Sequence, residues 1–141
     1  MFVFLALLLF LSQVYAKDYC LKRVENPYPE PYLGYLLRKR TERAILESGH
    51  RLRCQMDSQE LSVAVESFKE TPIGYTPQQR VNAYNLEIKV RFATEREVRV
   101  FSAVVSYTQL EGGLADLPRR SAIEDAMNII YTDMLNFFSR R

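Results

Sequence analysis

Few residues in this chain have the types and spacing that catalysis needs. The single histidine, His50, follows a glycine at a predicted strand start and has no nucleophile or ligand cluster near it, so we interpret it as structural. The sequence holds no Ser/His/Asp or Cys/His spacing, no phosphate-binding glycine loop and no cluster of metal ligands. Acidic residues are scattered as surface charge would be. We therefore expect a protein that is not an enzyme and that needs no metal or cofactor.

Two cysteines, Cys20 and Cys54, are the residues with redox chemistry. In an exported chain they can form a disulfide, which would remove roughly 3 to 4 kcal/mol of chain entropy from the unfolded state. The sequence leaves open whether they are bonded or are two free thiols. Acylation of Cys20 is rejected, because the residues before it are Lys17, Asp18 and Tyr19, where a lipoprotein signal has small and apolar side chains.

Arginine and lysine carry the remaining chemistry. The formal net charge of +2 is too small to indicate a nucleic-acid-binding protein. The basic residues nevertheless cluster at residues 38–43, 51–53, 119–120 and 140–141. Each cluster taken alone is typical of a solvated face.

The first 16 residues have the pattern of a signal peptide. Residues 2–11 are almost wholly apolar, yet they are shorter than the roughly 20 residues of a membrane-spanning helix. Val14 and Ala16 suit cleavage after Ala16. Because no lysine or arginine precedes the apolar run, an uncleaved N-terminal anchor is the alternative. Residues 17–141 are then the size of one domain.

The stretch from residue 82 to residue 92 alternates apolar and polar side chains, which predicts a strand with one buried face. Such a face needs a cover, and an apolar stripe on the last helix can provide it. Ser121 and Glu124 form a capping box that predicts where this helix begins. The stripe recurs at three- and four-residue spacing in Ile123, Ala126, Met127, Ile130, Met134, Phe137 and Phe138.

Local patterns predict the other elements. Strands are expected at residues 18–24, 50–56, 61–68 and 97–107, and a helix at residues 32–47 that ends at Gly49. The strand at 97–107 is largely apolar on both sides after Val100 and is therefore expected to be central in the sheet or to have a second covered face. Residues 69–80 form a long connection that can become a protruding β-ribbon. The order β-α-β-β-β-β-α predicts an α+β fold, a two-layer sandwich with two helices packed on one face of a four- or five-stranded mixed sheet.

Three stretches carry a family resemblance. Val24-Glu25-Asn26-Pro27 before a helix, the sequence VNAYNLEIKV at residues 81–90 and LPRRSAIEDA at residues 117–126 together resemble the lipopolysaccharide-assembly protein LptE family. The resemblance covers most of residues 21–141. It implies an LptE-like α/β sandwich domain at residues 17–141, with two helices on a four-stranded sheet. The family's lipidated cysteine is absent from this chain.

The resemblance also implies a function. Members are non-catalytic factors on the periplasmic side of the cell outer membrane, where they plug the LptD-type β-barrel and bind lipopolysaccharide. The family's lipopolysaccharide-contacting positions correspond here to Arg80, Arg119 and Arg120, and guanidinium groups suit lipid phosphates because they donate forked hydrogen bonds. The alternative is a soluble periplasmic domain, disulfide-bonded through Cys20 and Cys54, whose partner is another envelope protein.

Overall fold

The computed structural model of the chain describes residues 16–109 and 116–140. The predicted signal peptide, residues 1–16, therefore lies outside the described residues except for Ala16. The elements in chain order are β1 (Asp18–Glu25), α1 (Pro31–Glu47), β2 (Arg51–Leu52), β3 (Gln59–Tyr75), β4 (Val81–Thr94), β5 (Val98–Thr108) and α2 (Asp116–Ser139).

The strands form one mixed sheet in the order β2-β1-β3-β4-β5. β1 runs parallel to β2 and β3, whereas β3, β4 and β5 are successively antiparallel. Both helices and the inner face of the sheet contribute to a single hydrophobic core. The predicted α+β architecture, with two helices and a five-stranded mixed sheet, is confirmed.

The strand predicted at residues 82–92 makes up most of β4. The alternation is confirmed, with buried side chains at Leu86, Ile88, Val90 and Phe92 and a partly buried one at Tyr84. The apolar stripe of α2 covers this face, with Met127, Ile130 and Met134 fully buried. Helix α1 occupies nearly the predicted range, and Pro31 lies in its first turn, where the missing amide hydrogen costs nothing. Gly49 follows α1 with φ +85°, a conformation that favours glycine.

Three local predictions are wrong. The strand expected at residues 50–56 is only two residues long, because residues 55–58 form a turn in which Ser58 Oγ accepts the Gln55 N–H at 3.0 Å. Met56, the last residue of the predicted strand, is fully exposed. Ser121 does not cap α2, which begins at Asp116, five residues earlier, with Pro118 compatible with a first turn.

The third error concerns β5. Instead of having a second covered face, β5 is an edge strand of the sheet, and Val98, Val100 and Val104 on its outer side are about half exposed. Alternation shows which residues share a face, but it does not show whether anything covers that face. The consequence is an exposed apolar edge of the sheet.

Candidate functional site

Arg119 joins three elements at one end of the domain. It lies at the end of the first turn of α2, and its Nη1 donates to a Glu30 carboxylate oxygen at 2.5 Å. Its Nε donates to Glu70 on β3 at 2.8 Å. Burial alone would lower the pKa of Arg119, but its hydrogen bonds to the Glu30 and Glu70 carboxylates outweigh this effect and raise that pKa. The guanidinium is therefore held as a permanent cation between two acidic groups.

Tyr107 on β5 extends this network, since its hydroxyl donates to the other oxygen of Glu70. Burial raises the pKa of Tyr107 strongly, and the neighbouring Glu70 carboxylate raises it further. Tyr107 also stacks on Tyr84 of β4, with ring centroids 5.4 Å apart. This hydrogen-bond network holds β3 at Glu70, where the outer part of the β3–β4 hairpin begins.

Arg120, the next residue, points to a different partner. Its guanidinium carbon lies 4.2 Å from the ring centroid of Tyr32, at the start of α1, in a cation–π contact. The Tyr32 hydroxyl donates to Glu124, and this hydrogen bond raises the pKa of Tyr32. Tyr32, Arg119 and Arg120 line an open surface cavity of about 450 Å³ between the first turns of the two helices.

Arg80 lies at the far end of the β3–β4 hairpin, which we call the ribbon (residues 71–85). Its backbone carbonyl accepts the Thr76 N–H at 2.8 Å and closes the turn. Ile73 and Tyr75 in the same ribbon are 50% and 63% exposed. The register pairs Glu70 with Leu86 and Tyr75 with Val81, so the tip stands roughly 16 Å beyond Glu70.

The structure thus separates the three predicted arginines. Arg119 and Arg120 share the helix end of the domain but contact different groups, and Arg80 stands apart at the ribbon tip. The connection expected at residues 69–80 does form a β-ribbon. The sequence predictions missed Glu30 and Glu70, the partners of Arg119. Glu70 lies on the inner face with Phe68 because a register shift between Val65 and Ser67 changes the alternation of β3. The alternation before that shift would have placed Glu70 on the outer face.

Cys20 and Cys54 are bonded to each other, with Cα atoms 4.5 Å apart. The bond ties β1 to the segment after β2, at the opposite side of the sheet from β5. His50 is buried, with Nδ1 accepting the Lys17 N–H at 3.0 Å and Nε2 at 2.8 Å from the Phe138 carbonyl oxygen. The imidazole therefore links β1 and the end of α2.

Across residues 16–109 and 116–140, no three His, Cys, Asp or Glu side chains are grouped so that they could hold a metal ion. Neither described helix combines the length and the apolar composition needed to cross a membrane.

Comparison with known proteins gives one relative and a set of similar folds. No protein-family model matches the chain. The crystal structure of a minor lipoprotein from Acinetobacter baumannii matches with a TM-score of 0.52 at 14% identity. The match covers 88% of this chain and 94% of that one, so the two proteins share a fold. A weaker match is rare lipoprotein B from Shewanella oneidensis, with a TM-score of 0.46 at 17% identity, over 88% and 89% of the two chains.

The sequence relative is an uncharacterized protein of Aquifex aeolicus. It is 33% identical over 127 residues, which are 90% of this chain and 88% of that protein. Identity at this level over nearly both full lengths shows common descent. The chain belongs to the same protein family as this Aquifex aeolicus protein.

Proposed function

We propose that this chain is a non-catalytic assembly factor of the bacterial outer membrane that plugs an LptD-type β-barrel from the periplasmic side and binds lipopolysaccharide. Support comes from the LptE-like stretches of the sequence. It comes also from the fold, which is that of a lipoprotein in A. baumannii. This proposal assigns the chain to the cell envelope without requiring a lipid on Cys20, since that residue is in a disulfide.

The observation that carries the proposal is the composition of the ribbon tip. The tip holds Arg80 together with the exposed apolar side chains of Ile73 and Tyr75. Lipopolysaccharide presents phosphates next to acyl chains, so it offers an acceptor for the guanidinium and an apolar surface for the two neighbours. Residues 77–80 of the tip are exposed, so a ligand can reach it.

Arg120 is the second proposed contact. A guanidinium held over an aromatic face still has N–H groups at its edge, and these can donate to a phosphate. Arg119 takes a different role in the free protein, because Glu30 and Glu70 already accept its hydrogen bonds. A phosphate would have to displace one carboxylate to reach it. Arg119 is therefore proposed to orient the base of the ribbon, and to contact lipopolysaccharide only if that displacement occurs.

The binding test uses the purified full chain and lipopolysaccharide micelles in a titration. Arg80→Glu and Arg120→Glu should each weaken binding about tenfold, because each replaces an attraction to phosphate by a repulsion. Arg91→Glu is the matched control: it makes the same charge change on the exposed outer face of β4. Equal affinity for the wild type and the two site variants would exclude Arg80 and Arg120 as the contacts.

The partner test is a mild-detergent purification of the C-terminally tagged chain from its own envelope. Recovery of an outer-membrane barrel protein is expected. The intact mass of the bait, read at the same time, reports cleavage after Ala16, acylation and the disulfide. If no barrel protein accompanies the chain, the plug proposal fails.

One observation favours a second candidate, a soluble periplasmic interaction domain. The Cys20–Cys54 disulfide ties β1 to the segment after β2 and occupies the cysteine that a lipid would modify. Recovery of a cleaved, unacylated chain with a reproducible periplasmic partner and without a barrel would support this candidate.

A further inference from the structure

Strand β5 leaves one long edge of the sheet open. All 11 of its residues pair with β4 in continuous register, from Val98 opposite Ala93 to Thr108 opposite Ala83. The pairing contains no bulge. On its other side no strand of the described chain pairs with it, because β5 is last in the sheet order. The edge is therefore uninterrupted along the whole strand.

The hydrogen bonds at the two ends of β5 show which of its backbone groups face outward. The Glu97 carbonyl accepts from Thr94 at 2.9 Å, and the Gln109 N–H donates to the Asn82 carbonyl at 2.8 Å. The backbone groups of these two odd-numbered residues therefore face β4. Because antiparallel residues alternate, the even-numbered residues direct both their N–H and C=O groups away from the sheet. These residues are Val98, Val100, Ser102, Val104, Ser106 and Thr108.

The edge lacks the features that usually prevent pairing with another chain. Proteins protect exposed edges with proline, lysine, bulges or very short strands. β5 contains no proline or lysine, and its one charged residue, Arg99, is bonded to Glu97 at 3.1 Å. The side chains beside the open backbone groups include Val98, Val100 and Val104, exposed by 52%, 49% and 55%.

A groove follows the same edge on the helix side. It has a volume of about 460 Å³, and Phe101 of β5 and Phe137 of α2 form part of its wall. Asp133 and Arg140 lie on its α2 side. A strand added to β5 would place alternate side chains in this groove and the others beside the valines.

We propose that the β5 edge binds an extended segment of a partner polypeptide as a sixth strand. The open backbone groups require an extended peptide, and the valines require apolar side chains at alternate positions. Arg91, opposite Val100 in the register, and Arg140 in the groove make no ion pair with any described residue. The segment should therefore carry carboxylates that reach these two cations.

A second copy of this chain fits the edge less well. Its own β5 offers no carboxylate to Arg91 or Arg140. Edge-to-edge contact along one strand covers roughly 36 Å by 10 Å, well below the roughly 800 Å² per partner of a stable dimer. This proposal does not depend on lipopolysaccharide binding, because it concerns the edge opposite the disulfide and not the ribbon tip or Arg120.

The first test is residue-resolved amide exchange on the full chain, alone and with a synthetic peptide. The peptide has valine at alternate positions, threonine between them and glutamate at both ends. In the free chain the amides of Val100, Ser102 and Val104 should exchange quickly, and those of Phe101 and Ala103 slowly. The peptide should slow the even-numbered amides at least tenfold and leave the odd-numbered ones unchanged. A peptide with lysine at both ends should bind about tenfold more weakly.

Substitution of Ser102 supplies the matched pair of variants. Ser102→Pro removes an outward N–H but no bond to β4, so the fold should persist while peptide affinity falls about tenfold. Ser102→Ala changes the side chain alone and should bind as the wild type does. Thermal unfolding of both variants checks that the sheet is intact.

Three results would overturn the proposal. Slow even-numbered amides in the dilute free chain would mean that the chain covers its own edge. Protection that rises with protein concentration would mean that a second copy is the occupant. Failure of the glutamate peptide to protect the even-numbered amides would mean that the edge is not a site for such a segment.

Discussion

At the scale of single residues, Arg119 shows how a surface-type residue becomes part of the fold. Its two acceptors, Glu30 and Glu70, are 89 and 49 residues away in sequence. No local pattern connects residues so far apart, so the arginine was predicted but its partners were not. Because both carboxylates lie against Arg119, the net positive charge around residues 119–120 is smaller in the folded protein than the sequence alone indicates.

Replacing Arg119 should destabilise the domain. Arg119→Gln leaves the Glu30 and Glu70 carboxylates close together without a cation, and because Arg119 is one-third exposed we expect a loss of about 1 to 2 kcal/mol, less than for a fully buried pair. Urea unfolding measures it. Arg120 makes no ion pair with a described residue, so Arg120→Gln should lower the free energy of unfolding by less than about 0.5 kcal/mol. Equal losses in the two variants would contradict the network.

Tyr107 should make stability fall in alkali. Its pKa is raised in the folded protein, so above about pH 10, the ordinary pKa of tyrosine, the unfolded chain releases a proton that the folded chain retains. The free energy of unfolding then decreases as the pH rises, by at most about 1.4 kcal/mol per pH unit for this one proton. Urea unfolding between pH 9 and pH 11 should show a smaller decrease in Tyr107→Phe than in the wild type. The exposed Tyr75, changed to Phe, serves as the control and should leave the slope unchanged.

At the scale of elements, the periodic segments were predictable and the edges were not. A long pattern of apolar side chains marks both residues 82–92 and the stripe of α2. One interaction, burial of each segment against the other layer, explains both patterns. Strand β2 and the outer face of β5 depend instead on which strands become neighbours. That choice is made by pairing between distant segments, so the same alternation in β5 fits a covered strand and an edge strand equally.

The disulfide should matter most for the short edge of the sheet. β2 has only two paired residues, and the Cys20–Cys54 bond holds the following segment against β1. Changing both cysteines to serine should lower the free energy of unfolding by about 3 kcal/mol, as expected for a closed loop with a separation of 34 residues. Urea unfolding with and without a reductant measures the effect, and amide exchange at Leu52 should accelerate. A reductant that destabilises the serine variant as much as the wild type would show that the bond is not the cause.

At the scale of the whole molecule, the helices cover one face of the sheet only. The inner face holds the core, whereas the outer face is formed by polar side chains and the β5 valines. The proposed contacts lie outside this core: Arg80 on the ribbon, Arg120 at the helix end and the open β5 edge. The core can therefore remain rigid while three separate surfaces contact other molecules.

This one-sided arrangement predicts very different costs for substitutions on the two faces. Phe92 on β4 is 1% exposed and packs edge-on against Phe101 and Phe137, so Phe92→Ala should cost about 3 to 5 kcal/mol through lost burial and the cavity left behind. Val104→Ala, on the outer side of β5, should cost less than about 1 kcal/mol, because that side chain is already 55% exposed. Urea unfolding of the isolated chain compares them directly. A large loss for Val104→Ala would mean that its side chain is covered in solution, which would also contradict an open β5 edge. A small loss for Phe92→Ala would place the main core elsewhere than between β4 and α2.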